Sequence, residues 1–285
     1  MSTLAGSELW GDNMPTDPRI TGVLTLLNAA IRPPAGTWRI VGALTLGALT
    51  HLLFASGVLA MILAMFFGMS QSFGQLPQPA AWLANGLLIL QFPLAHSILL
   101  TGPGGRWLAR IVPGPYGGTL ATTTYALIAS VQLLMLFTLW TPSGVIWWQA
   151  DGFALWIITG VYASTWMLLT KASFDAGVEV QSGALGWMSM LAHIKPRFPD
   201  MPTLGLFRII RQPIYVAFAL TLWTVPVWTP DQLVLAISFT SYCLLAPRLK
   251  ERRFQKRYGE RFQRYKAVVP YAVPTLKPTR DNTHA

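Results

Sequence analysis

Residues 40–69 read IVGALTLGALTHLLFASGVLAMILAMFFGM, and no Lys, Arg, Asp or Glu occurs between Arg39 and Arg106. About 20 apolar residues at roughly 1.5 Å each cross a roughly 30 Å hydrocarbon core, so an uncharged run of this kind reads as membrane-spanning helix. The stretch is too long for one crossing. Gln71, Gly74, Gln75, Pro77, Gln78 and Pro79 supply turn chemistry, which divides it into helices over about 40–69 and 80–100. Working outward, a third helix is expected from about Leu120 to Trp140. A fourth runs from about Phe153 to Thr170, between Asp151 and Lys171. Trp140, Trp147 and Trp148 cluster near the turn between them, as an interfacial aromatic belt does. The last apolar block, Pro213 to Pro247, holds a single charge, Asp231. Thr229-Pro230-Asp231 divides it into two arms of about 16 residues, roughly 24 Å of helix each. Either the arms extend past the charged residues at their ends, or the hairpin stops inside the membrane. The expected fold class is all-α: a polytopic membrane helix bundle of five to six transmembrane segments, the last two forming a helical hairpin.

Composition agrees. The 285-residue chain is 53% hydrophobic and only 11% charged, against about 25% charged in a soluble domain. The formal charge of +10 is explained by topology rather than by nucleic acid. All 21 Lys and Arg residues fall before the first helix, in 101–118, in 171–212 or after Pro247, and the turns at 70–79, 141–151 and 229–231 hold none. Basic residues collect on the cytoplasmic side, so both termini are expected there. Glu8, Asp12, Asp17 and four prolines in the first 38 residues do not resemble a cleavable signal, so the first helix reads as a retained anchor. Residues 1–18 read as disordered, and Ile20–Ile31 as a short interfacial segment. Three regions follow: 1–38, an N-terminal cytoplasmic or interfacial segment; 39–171, a four-helix transmembrane region; and 172–285, a cytoplasmic loop, the hairpin and a C-terminal core. Cys243 lies in an apolar run and reads as a packing residue. One cysteine and four histidines argue against a Cys/His zinc site, and no metal site is expected.

The C-terminal third gathers the chemistry. Phe207, Arg208 and Arg211 lead into Gln212, Pro213 and Tyr215. Pro213 suits the first turn of a helix, which places Gln212 where free backbone N–H groups attract a carboxylate or phosphate. Across the hairpin, Glu251 is the first acid of a strongly basic stretch. Anion-binding and cation-binding groups beside apolar walls suit a zwitterionic nucleoside such as S-adenosylmethionine. The bland alternative is that these charges only set topology and that Phe262 or Tyr265 only anchors an interfacial helix. His96 ends the second helix and His51 lies inside the first; His96 is a candidate base or substrate residue, and the two could pair.

The spacing Gly205-x-Phe207-Arg208-x-x-Arg211-Gln212-Pro213-x-Tyr215 resembles the Gly-x-Tyr-x-x-x-Arg-His-Pro-x-Tyr motif of the isoprenylcysteine carboxyl methyltransferase family. Glu251-Arg252 followed by Tyr258-Gly259-Glu260-x-Phe262-x-x-Tyr265-x-x-x-Val269-Pro270 resembles that family's closing motif. Ala95-His96-Ser97 and Trp140-Thr141-Pro142 look like the branch that includes the bacterial methanethiol S-methyltransferases. The resemblance implies an integral-membrane methyltransferase of the bacterial inner membrane. It binds S-adenosylmethionine on its cytosolic side through Phe207, Arg211, Gln212, Pro213, Tyr215, Glu251, Arg252 and Tyr265. It acts on a small apolar or lipophilic acceptor entering from the bilayer, a methanethiol-type thiol first, with isoprenylcysteine or lipid O- or N-methylation as the alternative. Arg208, Arg211 and His96 are the candidate catalytic groups. Gln212 replaces the family's usual His and cannot titrate near neutral pH, which removes a general base there. It also removes the bis-His haem of the related-looking zeta-carotene isomerases. Lys250 replaces the first Glu of the closing motif. A non-enzymatic membrane factor is the remaining class.

Overall fold

The computed structural model describes residues 17–112 and 114–274; the expected disorder of residues 1–18 falls, up to residue 16, outside them. Helices make up 73% of it. Asp17 caps α1 (Pro18–Ile31) by accepting from the Arg19 N–H at 2.9 Å. Ile20, Leu24, Leu27 and Ile31 lie exposed along one stripe of α1, the pattern of a helix lying in an interface. α2 (Thr37–Phe66), α3 (Ala80–Leu99), α5 (Gly117–Leu139), α6 (Gly152–Asp175) and α10 (Pro230–Tyr258) are long and apolar enough to cross a membrane. Their exposed leucines, isoleucines and tryptophans face outward, as the lipid requires. α4 (Gly102–Ile111) joins α3 to α5.

α2 and α5 form the central pair. A Cβ on Gly57 would come 3.0 Å from the Ser130 carbonyl, so the missing side chain permits the close approach. The segment read as a cytoplasmic loop contains two further helices, α7 (Val178–Gln181) and α8 (Ala184–Ala192). α8, ALGWMSMLA, carries no charge and buries seven of its nine residues against α1, α2 and α5. An uncharged nonapeptide gains more by packing than by hydration, so this part of the loop is inside the bundle. Trp187 of α8 sits where a Cβ on Gly47 would meet its ring at 2.7 Å.

The three turns without basic residues interlock at one end. Trp148–Gln149 (β1) pairs antiparallel with Val227–Trp228 (β2). The Phe73 and Gly74 N–H groups donate to the Thr138 and Trp140 carbonyls at 2.8 and 2.9 Å. Asn85 and Thr141 exchange two bonds of 2.8 and 3.0 Å. Asp231 accepts from Trp140 Nε1 at 3.0 Å and from the Ser143 N–H at 2.9 Å. The sole charge of the last apolar block is therefore a tie between turns. Beneath it lies the largest buried apolar cluster among the described residues, around Met65, Met69, Leu136, Phe137, Leu222, Leu235 and Phe239.

The final hairpin is asymmetric, unlike the two equal arms expected. α9 (Pro213–Trp223) has 11 residues, about 16 Å, and non-helical chain over 224–229 completes its arm. α10 continues through Pro247 to Tyr258 and is followed by α11 (Glu260–Val268). Proline removes one hydrogen bond of the helix ladder and kinks it, but does not stop it here.

Candidate functional site

The two motifs meet at the end opposite the interlocked turns. Gly205 opens a 3₁₀ turn (Gly205–Arg208) at φ 61°, and a Cβ there would lie 2.2 Å from Asp175 Oδ2. Backbone conformation and space both call for glycine. Asp175, buried at the end of α6, accepts from the Leu206 N–H at 2.8 Å and pairs with Arg19 and Lys171. The turn is thus fastened to α1 and α6.

Arg211 is 9% exposed. Its Nε donates to Glu251 Oε1 at 2.8 Å, its Nη1 to the Lys266 and Val269 carbonyls, and its backbone N–H to the Pro270 carbonyl at 2.9 Å. The Tyr265 hydroxyl donates to the Phe207 carbonyl at 2.7 Å. Burial pushes the Tyr265 phenol above its ordinary value, so it remains a neutral donor. Gln212 caps α9 with Pro213 in the first turn, as expected. Its Nε2 donates to Glu251 Oε1 at 2.9 Å while its Oε1 accepts from Lys250 Nζ at 3.3 Å. An amide gives and receives at once, which suits a position between a carboxylate and an ammonium. Phe207, Arg211, Gln212, Glu251 and Tyr265 are therefore brought together, but their polar groups are turned to one another.

This frame backs a cavity of about 650 Å³, within the roughly 300–1,000 Å³ of small-molecule sites. Its basic end carries Lys250, Arg253, Arg257 and Tyr258 of α10, and Asp200 also lines the cavity. Lys250 Nζ lies 5.4 Å from the Phe207 and Phe254 rings and 5.9 Å from that of Tyr215. The cavity continues inward past Tyr215, His96, Tyr125 and Tyr242 to apolar walls that include Phe54, Met61 and Leu133. His96 Nδ1 and the Tyr125 hydroxyl are 2.6 Å apart. His51 does not meet His96: its Nε2 accepts from Trp187 Nε1 at 3.1 Å. Cys243 is buried and also lines the cavity.

Of the residues expected from sequence, Tyr215 and His96 line the cavity. Arg208 is exposed on the 3₁₀ turn and outside it. Arg252 lines a separate depression with Ser97 and Tyr242. The reason is helical: neighbours along α10 point about 100° apart, so Glu251 meets Arg211, Arg253 meets the cavity and Arg252 meets neither. Lys250, Arg253, Arg257, Tyr258 and Tyr125 were missed. The first four fall on one helical face once α10 is carried through Pro247. Tyr125 follows three threonines inside an apolar helix, a polar cluster that marks function in a membrane.

Comparison with known proteins points the same way. Methanethiol S-methyltransferase of Pseudomonas deceptionensis is 29% identical over 200 residues, 70% of this chain and 75% of that protein. The protein of that name from Mycobacterium tuberculosis is 28% identical over 214 residues, 70% of this chain and 80% of its own length. Nurim of Xenopus laevis is 31% identical over 178 residues, 58% of this chain and 59% of that protein. No family model matches the chain, and no solved structure matches it.

Proposed function

From the membership of this chain in the isoprenylcysteine carboxyl methyltransferase-like family, we propose that this integral-membrane methyltransferase moves a methyl group from S-adenosylmethionine to methanethiol or a closely similar small thiol. The observation that carries the reading is that one continuous cavity of about 650 Å³ runs from a basic, aromatic end to an apolar one. Donor and acceptor can occupy it together, and holding both in register is the main catalytic task.

The donor fits the basic end by chemistry. Lys250, Arg253 and Arg257 offer charge to its carboxylate, the rings of Tyr215, Phe254 and Tyr258 offer faces to its cationic and heteroaromatic parts, and Asp200 offers an acceptor for hydroxyls. When bound, it supplies an electrophilic methyl group. The chain's own groups do the rest. Arg211, Gln212, Glu251, Tyr265 and Phe207 hold the first turn of α9 against α10 and so set the positions of Tyr215 and Lys250. The apolar walls keep water from the reacting sulfur. A thiol reacts as thiolate; in this reading His96, which lines the cavity with its Nδ1 2.6 Å from the Tyr125 hydroxyl, takes its proton. The basic end faces the cytoplasm of a bacterial inner membrane with both termini on that side, the acceptor enters from the lipid, and residues 172–285 carry the donor half of the site.

The test is transfer of labelled methyl from S-adenosylmethionine to methanethiol by the purified full chain. Label should appear in a volatile thioether. Label found only in lipid or protein fractions would sink the thiol reading. His96→Ala should lower turnover about 100-fold with donor affinity unchanged; equal loss of both would remove His96 from the chemistry.

A further inference from the structure

Arg252 and the depression it lines are left unused by the cavity. We propose that the groove between α3 and α10, lined by Ser97, Tyr242, Leu245, Arg248, Leu249 and Arg252, is a binding site for the headgroup of an anionic phospholipid.

Position comes first. The start of α10 belongs to the interlocked turns, and Arg248 lies 18 residues after Pro230. At about 1.5 Å per residue that is roughly 27 Å, nearly the thickness of the hydrocarbon core. Arg248 and Arg252 therefore stand at the opposite headgroup level, with Leu245 and Leu249 reaching back along the acyl region, 56% and 45% exposed.

Charge comes second. Arg248 and Arg252 are four residues apart on one helix, where like charges repel. Neither is in an ion pair among the described residues. The acid nearest in sequence, Glu251, is committed to Arg211 and Gln212. Two guanidiniums one helical turn apart on the same groove at a membrane boundary match a phosphodiester, for which guanidinium is the preferred partner. Basic pockets between transmembrane helices on this side of a bilayer bind such headgroups. Shape comes third. The groove is about 350 Å³ and open, and Ser97 and Tyr242 line it, so that their hydroxyls, which also interact with each other, can offer a hydrogen bond to a glycerol or phosphate oxygen. Tyr242 also lines the main cavity, so a lipid seated here is one side chain away from the reaction site.

The test does not involve methyl transfer. The full chain in neutral detergent is titrated with phosphatidylglycerol, phosphatidylcholine or glycerol phosphate, and bound molecules are counted by native mass spectrometry. Phosphatidylglycerol should bind at least about tenfold more tightly than the other two. Arg248→Gln with Arg252→Gln should erase that preference, while Arg106→Gln with Arg110→Gln should leave it intact. A pronounced preference surviving the first double variant overturns the site. So does equal binding of phosphatidylcholine, or binding of glycerol phosphate as tightly as the lipid, which would mean a free-anion site. The glutamine pair is chosen because both arginines are exposed, and a thermal melt equal to wild type confirms folding.

Discussion

Two acids on the same helix, Asp231 and Glu251, do different work at opposite ends of the bundle. Asp231 sits in the first turn of α10, where the helix dipole favours a negative charge. It takes its bonds from Trp140 and Ser143 of a neighbouring turn. Every group around it is spent on closing that end. Glu251 is shared between Arg211 and Gln212, but the residues beside it, Lys250 and Arg253, line the cavity. A polar cluster satisfied by its own turns only holds a fold together. One that holds cavity-lining neighbours in place also governs a site.

The widest separation should come from Glu251→Ala. It leaves the Arg211 guanidinium buried without its counter-charge, a loss of about 3–5 kcal/mol. It should abolish measurable donor binding, because Gln212 and Lys250 lose their reference point; calorimetric titration with S-adenosylmethionine checks this. Wild-type affinity in that variant would break the link between frame and cavity. Asp231→Ala should cost less, about 1–3 kcal/mol for donors left unpaired. It should lower the thermal midpoint without changing donor affinity per folded molecule. If affinity falls as it does for Glu251→Ala, the two ends are not independent.

The smallest effect belongs to the Asp200–Arg261 pair, 2.6 Å apart with side chains 60% and 50% exposed. Partial burial opposes ionisation of Asp200, but the Met201 N–H and the Arg261 guanidinium outweigh it and hold the carboxyl below its ordinary value of 3.8. A depressed folded value adds stability that is present above the unfolded value and lost as pH falls through the folded one. Asp200→Asn should therefore lower stability by less than about 1 kcal/mol at neutral pH, with the difference shrinking once pH falls below about 4 and vanishing only below the depressed folded value. A difference that grows on acidification would contradict the pair's sign.

Much of this was legible in the chain. Uncharged runs placed α2, α3, α5 and α6 to within a few residues, since a bilayer penalises charge strongly enough to write itself into composition. The distribution of Lys and Arg separated the turns into two sets, and one set does interlock at a single end. The two motifs were legible as partners, and Arg211 and Glu251 do meet. The packing of α8 was hidden, because its position between other helices depends on the small residues facing it, such as Gly47, far away in sequence. The short α9 was hidden because chain length alone does not say whether an arm is helix throughout.

The sequence by itself therefore determined a helical membrane bundle, which turns share a side, and which two segments assemble the polar end. Only the tertiary structure decided which residues of that end face the cavity. Glu251, Arg252 and Arg253 are adjacent in sequence, yet one braces the frame, one meets the outer groove and one lines the cavity. A helix turns each successive side chain through about 100°, and only the packed neighbours of α10 give those three directions different meanings.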